Sequence, residues 1–191
     1  LDDAPPGPTD LALFDETIGI AVPLFPLVQF QAPAATSRLR VEAQSISFDL
    51  KGGAYQLSMP DVGEPALLIS GPEVFVGTPQ LEIATTLAPN PLVATSATVG
   101  RALGNFGELR VNGSFSNVQV SGLTTIGDSG EGRLEIVNGG AVDLAPAGGM
   151  GQPARLRVGE AATGHGSIRI AGPSSQFDVC ASEVLIGVGG N

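Results

Sequence analysis

One phrase returns along this chain at intervals of a few tens of residues: an apolar residue and Gly, a short gap, then a small strand of alternating character. The copies are Val76-Gly77 with Gln80 to Ile83, Val99-Gly100 with Glu108 to Val111, Ile126-Gly127 with Arg133 to Ile136, and Val158-Gly159 with Ser167 to Ile170. A fifth opens at Ile186-Gly187 and reaches the last residue, Asn191. Successive glycines (Gly77, Gly100, Gly127, Gly159, Gly187) lie 23, 27, 32 and 28 residues apart. Self-similarity on that scale marks a stacked repeat, in which one unit cannot bury its apolar face alone and a neighbour covers it.

Each copy holds three short strands. The first ends in the Val/Ile-Gly step and the second is the Leu-x-Val/Ile segment. The third reads Val118-Gln119-Val120, Val142-Asp143-Leu144 and Phe177-Asp178-Val179. Three strands per coil with turns between them predict an all-β fold, a right-handed single-stranded parallel β-helix or β-solenoid. Aligning the second strands gives two inward columns, Leu81-Leu109-Leu134-Ile168 and Ile83-Val111-Ile136-Ile170, all medium-sized aliphatics. Between them an outward column reads Glu82-Arg110-Glu135-Arg169. Its sign alternates at every step, which suits coils about 4.8 Å apart. At the next corner Asn112-Gly113, Asn138-Gly139 and Ala171-Gly172 align; Asn and Gly tolerate the positive φ of a sharp turn.

The chain divides into three regions. Residues 1–36 read as an extended Pro-rich arm or cap: Ala4-Pro5-Pro6-Gly7-Pro8 is prone to polyproline II, and Ile18 to Phe30 is apolar but interrupted by Pro23 and Pro26. This arm either covers an open end of the stack or docks on a neighbouring chain. Residues 37–97 read as degenerate first coils, with alternation in Leu39-Arg40-Val41 and Ser45 to Leu50. Residues 98–191 read as regular coils, the last truncated. The incomplete last copy predicts that the stack continues.

Composition excludes several functions. Gly at 27 and Pro at 15 leave little room for helices, while a hydrophobic share of 42% is too high for a disordered chain. A net charge of −10 with a single Lys, Lys51, offers no basic stripe to a phosphate backbone. The apolar run to Phe30 is about half the length a bilayer requires and contains two prolines, so no membrane insertion by this segment is expected. Cys180 is alone and reads as a small buried hydrophobe.

No constellation of nucleophile, base and orienting group is visible. The single His, His165, sits between glycines in a turn. Asp128, Glu131 and Glu160 occupy Gly-rich corners but lack the regular nonapeptide of calcium-binding repeats, so they read as solvated turn acids and no metal or cofactor is expected. The chain reads as non-catalytic.

The phrases from Thr125 to Val142 and from Val158 to Phe177 resemble the repeats of bacterial autotransporter-type passenger domains. Those repeats run as an apolar-Gly step, a Gly-x-Leu-x-Ile strand, an Asn-Gly-Gly-x-Val corner and a Ser-x-Phe variant. The likeness covers residues 98–191, is weak over 38–97 and is absent before that. It implies a secreted protein, extracellular or at the bacterial cell surface, that acts as a structural or adhesive element. Its partners would be further β-helix coils, of the same or a neighbouring chain, and a host or cell-surface ligand. The alternatives are a subunit of an extracellular filament, an accessory subunit docking through its N-terminal arm, and a polysaccharide-active β-helix enzyme.

Overall fold

A computed structural model of the chain describes residues 7–14, 26–42, 45–58, 63–72, 78–145 and 154–187. They form a parallel β-helix. The first coil is β1 (Leu11–Phe14), β2 (Leu27–Gln29) and β3 (Ala34–Thr36), and the second is β4 (Arg38–Val41), β5 (Ser45–Asp49) and β6 (Tyr55–Leu57). The third holds β7 (Leu67–Ile69), a short β8 (Gly71–Pro72), β9 (Gln80–Ile83) and β10 (Pro91–Ala94). The fourth is β11 (Ala97–Val99), β12 (Asn105–Asn112) and β13 (Asn117–Val120), and the fifth is β14 (Leu123–Ile126), β15 (Glu131–Val137) and β16 (Ala141–Leu144). The sixth is β17 (Arg155–Val158), β18 (His165–Ala171) and β19 (Gln176–Val179), after which β20 (Glu183–Ile186) begins a seventh.

Each strand pairs with its counterpart one coil away, giving three parallel sheets: β1-β4-β7-β11-β14-β17-β20, β2-β5-β9-β12-β15-β18 and β3-β6-β10-β13-β16-β19. Side chains alternate in direction along a strand, so each sheet sends every second residue into a shared interior. The inward columns of the second sheet are Ile46-Leu81-Leu109-Leu134-Ile168 and Val28-Phe48-Ile83-Val111-Ile136-Ile170. Leu81, Ile83, Val111 and Ile136 are fully buried. The two aliphatic columns expected of Leu81 to Ile170 are therefore stacked in register. At the first two coils the core turns aromatic: Phe30 lies 5.1 Å from Phe48 and 4.8 Å from Tyr55, ring centre to ring centre. The buried Tyr55 hydroxyl shares a 2.9 Å hydrogen bond with Thr36 Oγ1.

Stacking begins earlier than the pattern of repeats indicates. The described parts of residues 1–36 supply a whole coil, with Leu11–Phe14 paired to Arg38–Val41 and Leu27–Gln29 to Ser47–Asp49. Its Phe14, Val28 and Phe30 pack against the core. The Pro-rich stretch Ala4 to Pro6 and most of the apolar run lie outside the described residues.

Two details of the alignment differ. Val99 pairs with Ile69, so Ile69-Ser70 takes the place in the corner column that spacing assigns to Val76-Gly77; Val76 and Gly77 lie outside the described residues. The cause is an insertion between β7 and β9, where Gly71–Pro72 turns back to pair antiparallel with Asn105 and Phe106. At the second corner Asn112 pairs with Val137, not Asn138, because the fifth coil reaches its third strand one residue sooner. Asn138 is left at φ 54° and still donates from Nδ2 to Asn112 Oδ1 at 2.8 Å.

A column of glycines, Gly107-Gly132-Gly166, opens the second sheet. The backbone there passes against the coil before: a Cβ on Gly132 would overlap the Val99 carbonyl oxygen and the Gly127 amide, and one on Gly166 the Ile126 carbonyl. Gly104 is different, with φ +77° and open space around it. Gly132→Ala is expected to cost about 3 kcal/mol, since only backbone movement relieves the overlap. Gly104→Ala should cost about 1 kcal/mol from its left-handed backbone alone. Urea unfolding of the two variants checks the difference.

Candidate functional site

The outward face of the second sheet carries the charge ladder. Arg110 Nε lies 3.7 Å from Glu82 and 3.3 Å from Glu135, and the Arg169 guanidinium reaches Glu135 from the other side. A parallel rung runs beside it, with Arg133 3.5 Å from Glu108 and 3.5 Å from Glu131. Asn112 Nδ2 donates to Glu82 at 2.9 Å and Gln80 Nε2 to Glu108 at 3.2 Å. All but Arg133–Glu131, which lies within β15, join residues one coil apart, and each of those strengthens the contact between layers by a few tenths of a kcal/mol. Burial pushes the Glu108 carboxyl above the usual carboxylate range, against the pull of Arg133.

The Val/Ile-Gly corners close the first sheet. Gly100, Gly127, Gly159 and Gly187 have φ of +74°, +72°, +69° and +70°, a region other residues enter only with strain. A Cβ on Gly100 would also collide with Glu131 of the next coil, and one on Gly127 with His165. Among the described residues Gly159 has no such strand against it, and nothing lies within 4 Å of a Cβ at Gly187.

Just past three of these corners stand Arg101, Asp128 and Glu160, one per coil. They form one wall of a groove of about 450 Å³ over the outer face of the first sheet. Its floor is Ser96 and Thr98 of the fourth coil with Leu123 and Thr125 of the fifth, and the segment Gly63-Glu64-Pro65 completes the lining. Arg101 joins Glu64 at 2.5 Å, holding that carboxyl below the usual range. Glu160 is held by Arg157, and Thr125 Oγ1 donates to it at 3.5 Å. Burial, and then the Glu160 charge, push the Asp128 carboxyl up. Asp128 and Glu160, expected as solvated turn residues, are half-buried members of a concave surface, whereas Glu131, expected likewise, is exposed. Spacing misses this because the groove is made by residues from four different coils.

A second concavity of about 480 Å³ lies at the neighbouring corner, lined by Leu103, Phe106, Glu131 and His165 among others. His165 stacks one coil from Glu131 in register. Among the described residues no three His, Cys, Asp or Glu side chains group so as to hold a metal ion. No helix of the described residues is long and apolar enough to cross a membrane.

The sixth coil and β20 differ from the layers above them. Ile170 is 50% exposed, Val184 49% and Ile186 75%, although all three stand in inward columns. Cys180, expected inside, is exposed for the same reason: no further described layer covers this coil. Comparison with protein-family models, with curated proteins and with solved structures finds no match in any of the three. The geometry therefore carries the functional argument.

Arg110→Glu would stack three carboxylates in successive coils. It is expected to lower stability by about 1–2 kcal/mol at low ionic strength, with the loss shrinking in ~1 M salt. Arg110→Met should cost less; thermal melts at two salt concentrations separate the two. Asp128 binds its proton more tightly in the folded chain, so stability falls as pH rises from the ordinary carboxylate value through the raised one. Asp128→Asn removes that fall. It should melt higher than the parent at pH about 7 and equal to it at pH about 3.

Proposed function

We propose that this chain is a non-catalytic structural and adhesive element of an extracellular bacterial surface protein, and that its last described coil is joined by a further coil of the same kind. The open face of the sixth coil carries this reading. Inside the stack the inward columns are closed, with Val111 and Ile136 fully buried, whereas Ile170 and Ile186 stand in water. Apolar columns and free strand edges of this kind need a cover to remain soluble and specific.

The ladder points to the chemistry of the cover. Arg110 is flanked by two carboxylates, but Arg169 has a described partner on one side only, Glu135, and is 66% exposed. A matching coil would bring aliphatics over Ile168 and Ile170 and an acid over Arg169. The first coil of this chain has Leu27 in that column, so a second copy stacked head to tail in continued register would leave Arg169 without its acid. This favours a distinct coil over a filament of identical chains. The likeness of the Thr125 and Val158 phrases to autotransporter passenger repeats supports the extracellular setting.

The test is a chain extended by one coil with Leu and Ile at the inward positions and Glu over Arg169. Its unfolding midpoint should rise by several degrees, and by less with Lys in place of the Glu. An extension that leaves the midpoint unchanged overturns the reading. Sedimentation across a range of concentrations decides against it in favour of the filament if the parent chain forms growing assemblies.

A further inference from the structure

We propose that the groove on the outer face of the first sheet binds a neutral, hydroxyl-rich saccharide chain laid along the stack axis. This rests on the adhesive reading, to which it supplies a ligand class. The groove draws on the third to sixth coils, from Glu64 through Thr98 and Thr125 to Glu160. That is roughly 14 Å at the usual spacing between strands, room for a short oligosaccharide and not a single ring. Its volume of about 450 Å³ falls within the range of ligand sites.

The lining chemistry selects the class by what it refuses. Three carboxylates, Glu64, Asp128 and Glu160, line the groove against one arginine, Arg101, in a chain of net charge −10. Uronates, phosphates and nucleic acid would meet the one carboxylate left unmatched there, Asp128, on a chain of net charge −10. A small cation finds little to bind, since Glu64 is neutralised by Arg101 and Glu160 by Arg157. An extended peptide has no edge to join, because β11 and β14 are paired on both sides. A fatty chain would bury the Asp128 carboxylate and supply no donor to it.

A sugar fits each of these groups. Its hydroxyls donate to Asp128, which has no ion-pair partner within 4 Å among the described residues, and to Glu160 and Thr98. Its hydroxyl and ring oxygens accept from Arg101 and Thr98, and its C–H faces lie on Leu123 and Pro65. The ion pairs at Arg101 and Arg157 hold the polar atoms in place before the ligand arrives, which lowers the ordering cost of binding. The raised Asp128 carboxyl agrees with this, because hydroxyl donors at that position would replace the water that burial has removed.

The experiment titrates the chain with neutral hexasaccharides of β-glucan, α-glucan, mannan and galactan type, with oligogalacturonate and glucosamine hexamers as charged controls, following backbone amide NMR shifts. At least one neutral hexamer should bind saturably, with shifts confined to Thr98, Arg101, Thr125, Asp128 and their neighbours. Asp128→Asn should weaken that binding about tenfold while its melting temperature stays at or above that of the parent. Thr98→Tyr, which fills the floor, should abolish it. Absence of shifts with all four neutral probes at about 10 mM overturns the proposal. So does tighter binding of a charged control, or binding that survives both variants. Appearance of shorter sugars during the titration supports the ligand assignment while overturning the non-catalytic reading. Failure of every neutral probe alongside a normal response to the added coil removes the ligand and leaves the structural role standing.

Discussion

Backbone lies on backbone at the start of the second sheet, and the stack depends on that contact. At Gly107, Gly132 and Gly166 the chain crosses directly against the carbonyls of Ile69, Val99 and Ile126 in the preceding coil, with no room for a Cβ. This crossing locks the register of one layer on the next. A slip of one residue would carry every inward side chain to the outside. Such a slip would put Glu135 where Leu134 or Ile136 now meets the core. The parallel ladders have little local reward, because their pairings join residues 20 to 37 positions apart. A single coil therefore cannot hold itself together, and stability accumulates through its neighbours.

With the register locked, charge becomes a second check on it. Glu82-Arg110-Glu135-Arg169 alternates only in the observed alignment, and Glu108-Arg133 repeats the logic one position along. Individually these half-exposed pairs contribute little. Their use is in making other registers worse, since a layer displaced by one coil would set like charges against each other. Where the chain stacks two acids instead, Asp128 and Glu160 at the corner, burial first and the Glu160 charge second raise the Asp128 carboxyl. That departure falls in the groove lined by Arg101, Asp128 and Glu160.

Much of the fold was legible from residues 80–187, because one Leu-x-Val/Ile strand per coil is repeated there and its partners read directly as columns. The middle strands Leu81, Leu109, Leu134 and Ile168 pair as their alignment predicts. The early coils were harder to read for a physical reason. Core volume there is shared between aliphatics such as Leu39, Val41 and Ile46 and the aromatics Phe14, Phe30, Phe48 and Tyr55, so the Leu-x-Val/Ile column is interrupted although the strands and pairings are the same. Corners mislead in a different way. Their lengths vary freely in solvent, so Val76-Gly77 imitates the phrase while Ile69-Ser70 occupies the position. The groove left almost no signal, since Glu64, Thr98, Asp128 and Glu160 have no common motif and meet only after four coils are stacked.

This division between what repeats and what does not also separates stability from recognition. Inward positions and the crossing glycines are constrained by the layer on either side, so they admit few residue types. The residues just past the corners are free of that packing: Arg101, Asp128 and Glu160 follow the same Val/Ile-Gly step yet differ in charge and length. A stack of this kind offers a row of independently variable positions about 4.8 Å apart, held rigid by a core that does not change when they do. An extended ligand of regular spacing is the natural match to such a row, because each added layer extends the contact without disturbing the last. The same layering that leaves Ile170 and Ile186 exposed at one end is therefore what gives the flank a continuous surface several coils long.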